Sequence, residues 1–375
     1  MHTPISGATP RSFSRRSRLA KYLAAAYTLL VGYASLYPFS PWRGLADSPF
    51  AFLSDDWPRY YTATDVALNV FGYLPLGLLV ALSAMASTSV RWAALLGALV
   101  GSLVSLTLET LQSFLPPRVP SNLDLLSNCL GALAGALIAV TAGERWLLSG
   151  QLQRLRSRIF LPGAWTDAGF VILVLWLFTQ LYPSVWLFGN GDLRFLVRSG
   201  HNFDYSPGSY RFIEAAVTAL NLAAVALFMS SLARPGRRVA TPLLLLVTAA
   251  LLIKSAGALT LFKAGDASLW LTAGAMLGVP AGVVLSVVLG RLPRRLLPPA
   301  AAVCMLSGAV LVNLAPENPY IAASIQMWQR AHFLSFNGTT RLVSSLWPFL
   351  AAGYLSWWTW QGVNTPLPAG SSVLK

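Results

Sequence analysis

Long apolar runs recur along the chain, separated by short polar connections. A helix rises about 1.5 Å per residue, so roughly 20 apolar residues cross the hydrocarbon core of a bilayer. By that measure the runs fall at 20–38, 66–86, 91–113, 123–142, 168–187, 212–232, 240–260, 268–290, 298–314 and 342–361. The pattern predicts an all-α polytopic integral membrane helical bundle of about ten transmembrane helices. Its divisions are a basic N-terminal arm at 1–21, a four-helix membrane domain at 22–145, a basic linker at 146–167, a second membrane region at 168–361 and a C-terminal tail at 362–375. The basic stretch "RSFSRRSRLAK" precedes the first run as it would in a signal peptide. The run then continues through "YLAAAYTLLVGYASLYPF" with no small-x-small cleavage site, and is read as a retained span.

The connections alternate in charge. Arg91, then Arg145, Arg154, Arg156 and Arg158, then Arg234, Arg237 and Arg238, then Arg291, Arg294 and Arg295 fall on one side; Asp47, Asp55, Asp56, Asp192, Asp204, Asp266 and Glu317 fall on the other. Basic loops stay in the cytoplasm, so both termini are expected there, in a bacterial inner membrane. Composition agrees: of 375 residues 55% are hydrophobic and 11% charged, more apolar surface than a soluble domain of this length can hide. The net charge of +14 sits in clusters between apolar runs, which argues for orientation in the bilayer and against nucleic-acid binding. Cys129 and Cys304 lie within apolar runs, and His2, His201 and His332 lack ligand-like neighbours, so neither a disulfide framework, a metal nor a cofactor is expected.

The two halves echo each other. "LYPFSPW" at 36–42 recurs as "LYPSVW" at 181–186, "ALNVFGYLPLGLL" from Ala67 as "ALNLAAVALFM" from Ala219, and "LGALAG" at 130–135 as "LGVPAG" at 277–282. These matches imply a degenerate parallel repeat of two four-helix halves; chance likeness among apolar helices is the alternative. The copies differ in chemistry, since Leu271 and Ala275 stand where the first has Asp124 and Asn128.

Polar groups concentrate in the first half. Ser102, Ser105, Glu109 and Gln112 recur at helical spacing on one face of the third run; Asp124 and Asn128 lie one turn apart in the fourth, as do Asp65 and Asn69 in the second, with Tyr73 below them. An Asp at a helix centre costs roughly 2.5–3.5 kcal/mol on insertion scales, so these groups should face one another or a wet cavity. Structural roles compete with functional ones. Asp65 and Asp124 occupy positions that cap helix N-termini, "SNLD" from Ser121 being a capping-box pattern, and Glu109 has Arg118 as its expected partner. Gly97, Gly101, Gly131 and Gly135 read as a packing seam between the third and fourth spans. Trp42, Trp57, Tyr60, Tyr61, Trp186, Trp347, Trp357 and Trp358 read as an interfacial belt, Lys254 as snorkelling or bonded to a helix carbonyl, and "YIAASIQMWQRAHFLSF" as a surface amphipathic helix.

"NVFGYLPLG" from Asn69 and "ETLQSFLPPRVPSNLDLLSNCLGALAG" from Glu109 resemble the VanZ-like family of membrane proteins over residues 25–142. Asn69, Pro75, Gly77, Glu109, Gln112, Arg118, Asp124, Asn128 and Gly131 occupy the places of the family pattern. The family takes its name from a protein associated with resistance to teicoplanin. The resemblance therefore implies an envelope role without fixing a reaction. The leading expectation is an outward-facing polar site that engages an envelope lipid, a peptidoglycan-related molecule or a lipoglycopeptide, with Arg118 meeting an anionic head group. A membrane enzyme with Glu109 or Asp124 as general base, a transporter and a structural partner in an envelope complex are the competing readings. An alkaline phosphatase fused at Pro116 should be active and a green fluorescent protein fused at Gly236 should fluoresce; the reverse would invert the topology.

Overall fold

The computed structural model describes residues 18–45, 48–141, 151–181, 186–194, 206–261, 267–268, 270–316 and 334–364. Among these the longer elements are all helices, and no strand forms: α1 (Leu19–Leu36), α2 (Ala63–Ala84), α3 (Val90–Gln112), α4 (Asn122–Ile138), α5 (Gln151–Ile159), α6 (Ala164–Thr179), α7 (Pro207–Leu232), α8 (Ala240–Leu261), α9 (Ala273–Leu289), α10 (Leu297–Leu314) and α11 (Leu334–Asn364). Seven are long and apolar enough to cross a membrane, namely α1 to α4, α7, α8 and α10. A helix accompanies each of the ten apolar runs, but α6 and α9 have 16 and 17 residues, short of a full crossing, and α11 is outside the seven.

The differences from the hydropathy reading have local causes. α6 stops at Thr179, short of the residue 187 at which hydropathy ends the fifth span, and residues 187–191 form an irregular segment that is buried. Its polar backbone and side chains are paired: Gly191 N–H donates to the Ser344 carbonyl at 2.9 Å, Ser344 Oγ donates to Asn190 Oδ1 at 3.0 Å, and Asn313 Nδ2 donates to the Gly191 carbonyl at 2.7 Å. Apolarity alone does not separate a buried helix from such a segment. The eighth run becomes helical only at Ala273, where Thr272 Oγ1 accepts the Ala275 N–H. Within the basic linker, α5 forms and its Arg156 pairs with the buried Asp167 while lying over the Phe170 ring. Trp347 is no belt residue: it is fully buried and donates its indole N–H to the Ile172 carbonyl at 2.8 Å. Lys254 is buried in α8. The segment "YIAASIQMWQRAHFLSF", the arm before Arg18 and most of the tail lie outside the described residues, apart from the backbone of its last three positions in α11.

Helix packing follows the glycines. α4 lies against α2 so closely that a Cβ on Gly131 would come 2.2 Å from the Val70 carbonyl oxygen, one on Gly135 1.9 Å from that of Leu74, and one on Gly77 1.9 Å from that of Ala132. Gly97 and Gly101 of α3 meet α2 and α4, at the Gly77 carbonyl and the Ala132 side chain. The four glycines therefore do not form one seam between α3 and α4. Instead the α4 pair admits α2, and the α3 pair admits the joined α2–α4 unit. Pro75 interrupts the hydrogen-bond ladder of α2, and nearby the Gly72 carbonyl accepts the Tyr27 hydroxyl of α1 at 2.8 Å. In the second half α7 is the central, most buried helix, packed on α9 and α10. There Gly278 and Gly282 meet Thr218 and Ala219.

Gly135→Val should cost more than the ~1–3 kcal/mol typical of overpacking, because backbone stands in the way. The expected result is loss of monodisperse protein on size-exclusion chromatography, with Gly353→Ala, where nothing lies within 4 Å of the added carbon, behaving as wild type.

Candidate functional site

The polar groups of the first half assemble at the end of the bundle that carries the 113–121 turn, and they sort into two sets. One set holds helices together. Thr62 and Asp65 form a complete capping box at the start of α2, the Asp65 N–H donating to Thr62 Oγ1 and the Thr62 N–H to Asp65 Oδ2, so the exposed Asp65 is a helix cap. Gln112 Nε2 donates to the Ser35 carbonyl at 3.1 Å, and Arg118 donates from Nε to the Tyr37 carbonyl at 2.9 Å and from Nη2 to the Ala34 carbonyl at 3.0 Å. The last carbonyls of a helix have no partner within it, so cations and donors settle there. Arg118 is therefore a cap on α1. Burial pulls its guanidinium below the ordinary arginine value, and the nearby charge of Glu109 acts in the opposite direction.

The expected direct tie between Glu109 and Arg118 is thus replaced by a longer-range attraction. The buried Glu109 accepts the Ser121 N–H on Oε2 at 3.0 Å. That bond rewrites the start of α4. Ser121 Oγ accepts the Asp124 N–H at 3.4 Å, as in a capping box, but the reciprocal acceptor for the Ser121 amide is Glu109 of α3. Asp124 is released from capping and turns to α2, where its Oδ1 accepts Asn69 Nδ2 at 2.7 Å.

One turn deeper lies a second layer. Asn128 Nδ2 donates to Ser105 Oγ at 2.9 Å, both residues buried, and Asn128 Oδ1 has no hydrogen-bond partner. The buried Tyr73 hydroxyl approaches those of Ser105 and Ser35, and its ring lies in electrostatic range of Glu109. The site is therefore a two-layer column, Glu109, Asp124 and Asn69 above Ser105, Asn128 and Tyr73, contributed by α2, α3 and α4. The loop after α1 is fastened above it: the Arg43 N–H donates to the Phe114 carbonyl, Ser113 Oγ to the Pro49 carbonyl, and Asn122 Nδ2 to the Asp55 carbonyl.

The second half holds a carboxylate that sequence reading passed over. Glu214 is buried in α7, hydrogen-bonded to Thr272 and to the Gly274 N–H at the start of α9. Its signal was one acid within the otherwise apolar run at 212–232. No group of three or more His, Cys, Asp or Glu suited to a metal occurs among the described residues.

Since Arg118 carries two α1 carbonyls, Arg118→Ala should lower the melting temperature by the equivalent of about 2–4 kcal/mol, and Gln112→Ala by about 1 kcal/mol, in detergent unfolding monitored by tryptophan fluorescence. An unchanged Arg118→Ala melting curve would contradict the capping assignment.

No curated protein and no solved structure gives a significant match to the chain. Residues 11–143 match the family model described as VanZ/LLP1, which reaches into the basic arm beyond the 25–142 of the motif resemblance. This apolar, helical membrane protein thus carries a VanZ-like segment at its amino-terminal end, and the two-layer column lies within it.

Proposed function

We propose that the protein is a multi-pass bacterial inner-membrane protein whose column of polar groups faces the exterior and engages an envelope component. The candidates are an envelope lipid, a peptidoglycan-related molecule or a teicoplanin-type lipoglycopeptide, and the role is envelope homeostasis or antibiotic resistance. All ten apolar helices cross the bilayer in this reading, with both termini cytoplasmic. The short α6 and α9 are accommodated by local thinning, which costs fractions of a kcal/mol per Å. The similar glycine-mediated packing of α4 on α2 and of α9 on α7 supports the parallel repeat.

One observation carries the proposal. Two carboxylates from different helices, Glu109 and Asp124, converge in a membrane domain, each with a single hydrogen bond among the described residues. Intramembrane acids are expensive, and those that only brace helices are closed off by full pairing. Arg118 donates to two α1 carbonyls, and the two carboxylates suit hydroxyl or amine donors on the ligand. A general-base enzyme would use the same acids.

A deletion strain should differ from its parent in envelope lipid composition and in glycopeptide susceptibility. Wild-type complementation should restore both, while Glu109→Gln and Asp124→Asn should leave the strain indistinguishable from the deletion at equal protein level. Full complementation by Glu109→Gln would end the proposal.

A further inference from the structure

We infer that the column binds a primary ammonium group, held between α3 and α4; the inference rests on the proposed ligand-binding role of this same site. The bonds already made leave three oxygens over. Glu109 uses Oε2 on the Ser121 N–H, and Asp124 uses Oδ1 on Asn69. Asn128 Nδ2 donates to Ser105, and its Oδ1 accepts nothing although the residue is only 4% exposed. What is left is Glu109 Oε1, Asp124 Oδ2 and Asn128 Oδ1, none of which has a donor among the described residues.

The residues that carry these oxygens adjoin one another on α3 and α4. Asn128 lies a turn below Asp124 on the same face of α4, and its amide touches Ser105, a turn below Glu109 on α3. Glu109 and Asp124 are themselves within electrostatic range of each other.

Two carboxylate oxygens and one buried amide oxygen define the complement. An ammonium presents three N–H donors, no acceptor and one positive charge. A phosphate or carboxylate would bring negative charge to two carboxylates. A neutral hydroxyl offers one donor and leaves two oxygens unpaired. The two carboxylates outnumber the one guanidinium nearby, so an incoming cation also balances local charge where low dielectric makes imbalance costly. A lipid head group and a soluble molecule can each supply the amine, and the site chemistry is the same for both.

The test uses full-length protein in nanodiscs of phosphatidylglycerol containing equal minor fractions of phosphatidylethanolamine and phosphatidylcholine, which carry the same charge but differ in N–H donors. Lipid retained by the protein is quantified by mass spectrometry, and soluble ethanolamine is titrated in a parallel arm. Phosphatidylethanolamine enriched over phosphatidylcholine by about tenfold or more, and reduced to parity in the Glu109→Gln/Asp124→Asn variant, supports a lipid amine. Parity in the lipid arm with saturable ethanolamine binding that the double variant loses supports a soluble amine. Retention of phosphatidylglycerol or phosphatidylcholine in preference, or equal saturation by sodium ions, overturns the ammonium assignment. So does indifference to every amine. If that happens while Glu109→Gln still fails to complement, the site remains functional and only its ligand class is wrong; if Glu109→Gln complements, the underlying reading has failed instead.

Discussion

Close backbone approach between α2 and α4 is the constraint on which the first half depends. With glycine at 77, 131 and 135 the helices meet carbonyl to Cα, and that contact decides how far the side chains above it must reach. Asn69 and Asp124 are short side chains, and they hydrogen-bond at 2.7 Å because their helices are already in contact one turn below. Bulkier residues would move the axes apart toward the usual 8–10 Å and leave both groups without partners. Small residues at a membrane interface thus do more than add dispersion energy: they set the scale on which polar chemistry can be built.

Much of this was legible in sequence. Helical spacing put Glu109, Gln112 and Ser105 on one face, Asp124 and Asn128 on another, and each pair does share its face. What spacing could not supply was the choice of partner. Arg118 and Glu109 are neighbours across a short turn, which made an ion pair the natural inference. The decisive competitor was the bare C-terminus of α1, more than seventy residues earlier, which no local pattern connects to the turn. The capping box at Ser121 failed for a similar reason: its second bond is made by a residue from another helix. Hydropathy located the apolar segments well and overran the helices where the chain turns irregular, after Thr179 and before Ala273.

The two halves use their glycines alike and their acids differently. In α2 and α4 the acid is on the entering helix and the amide on its neighbour; in α7 and α9 Glu214 faces Thr272 and the Gly274 amide at the start of the next helix, which Thr272 caps. A negative group at a helix N-terminus is favourable on its own account. The second-half acid is thereby consumed by architecture, whereas the first half delegates capping of α4 to Glu109 and keeps Asp124 for other use.

The irregular segment at 187–191 bears on how the chain is made. Its amides and carbonyls are satisfied by Asn313 of α10 and Ser344 of α11, which leave the ribosome more than a hundred residues later. Unpaired backbone in hydrocarbon costs several kcal/mol per group. During synthesis the segment must therefore wait in water or in the shelter of the insertion machinery until the final helices arrive. The carboxy-terminal half then completes its assembly as one late event, while α2, α3 and α4 pack on one another beforehand and α1 gains α6 and α11 later.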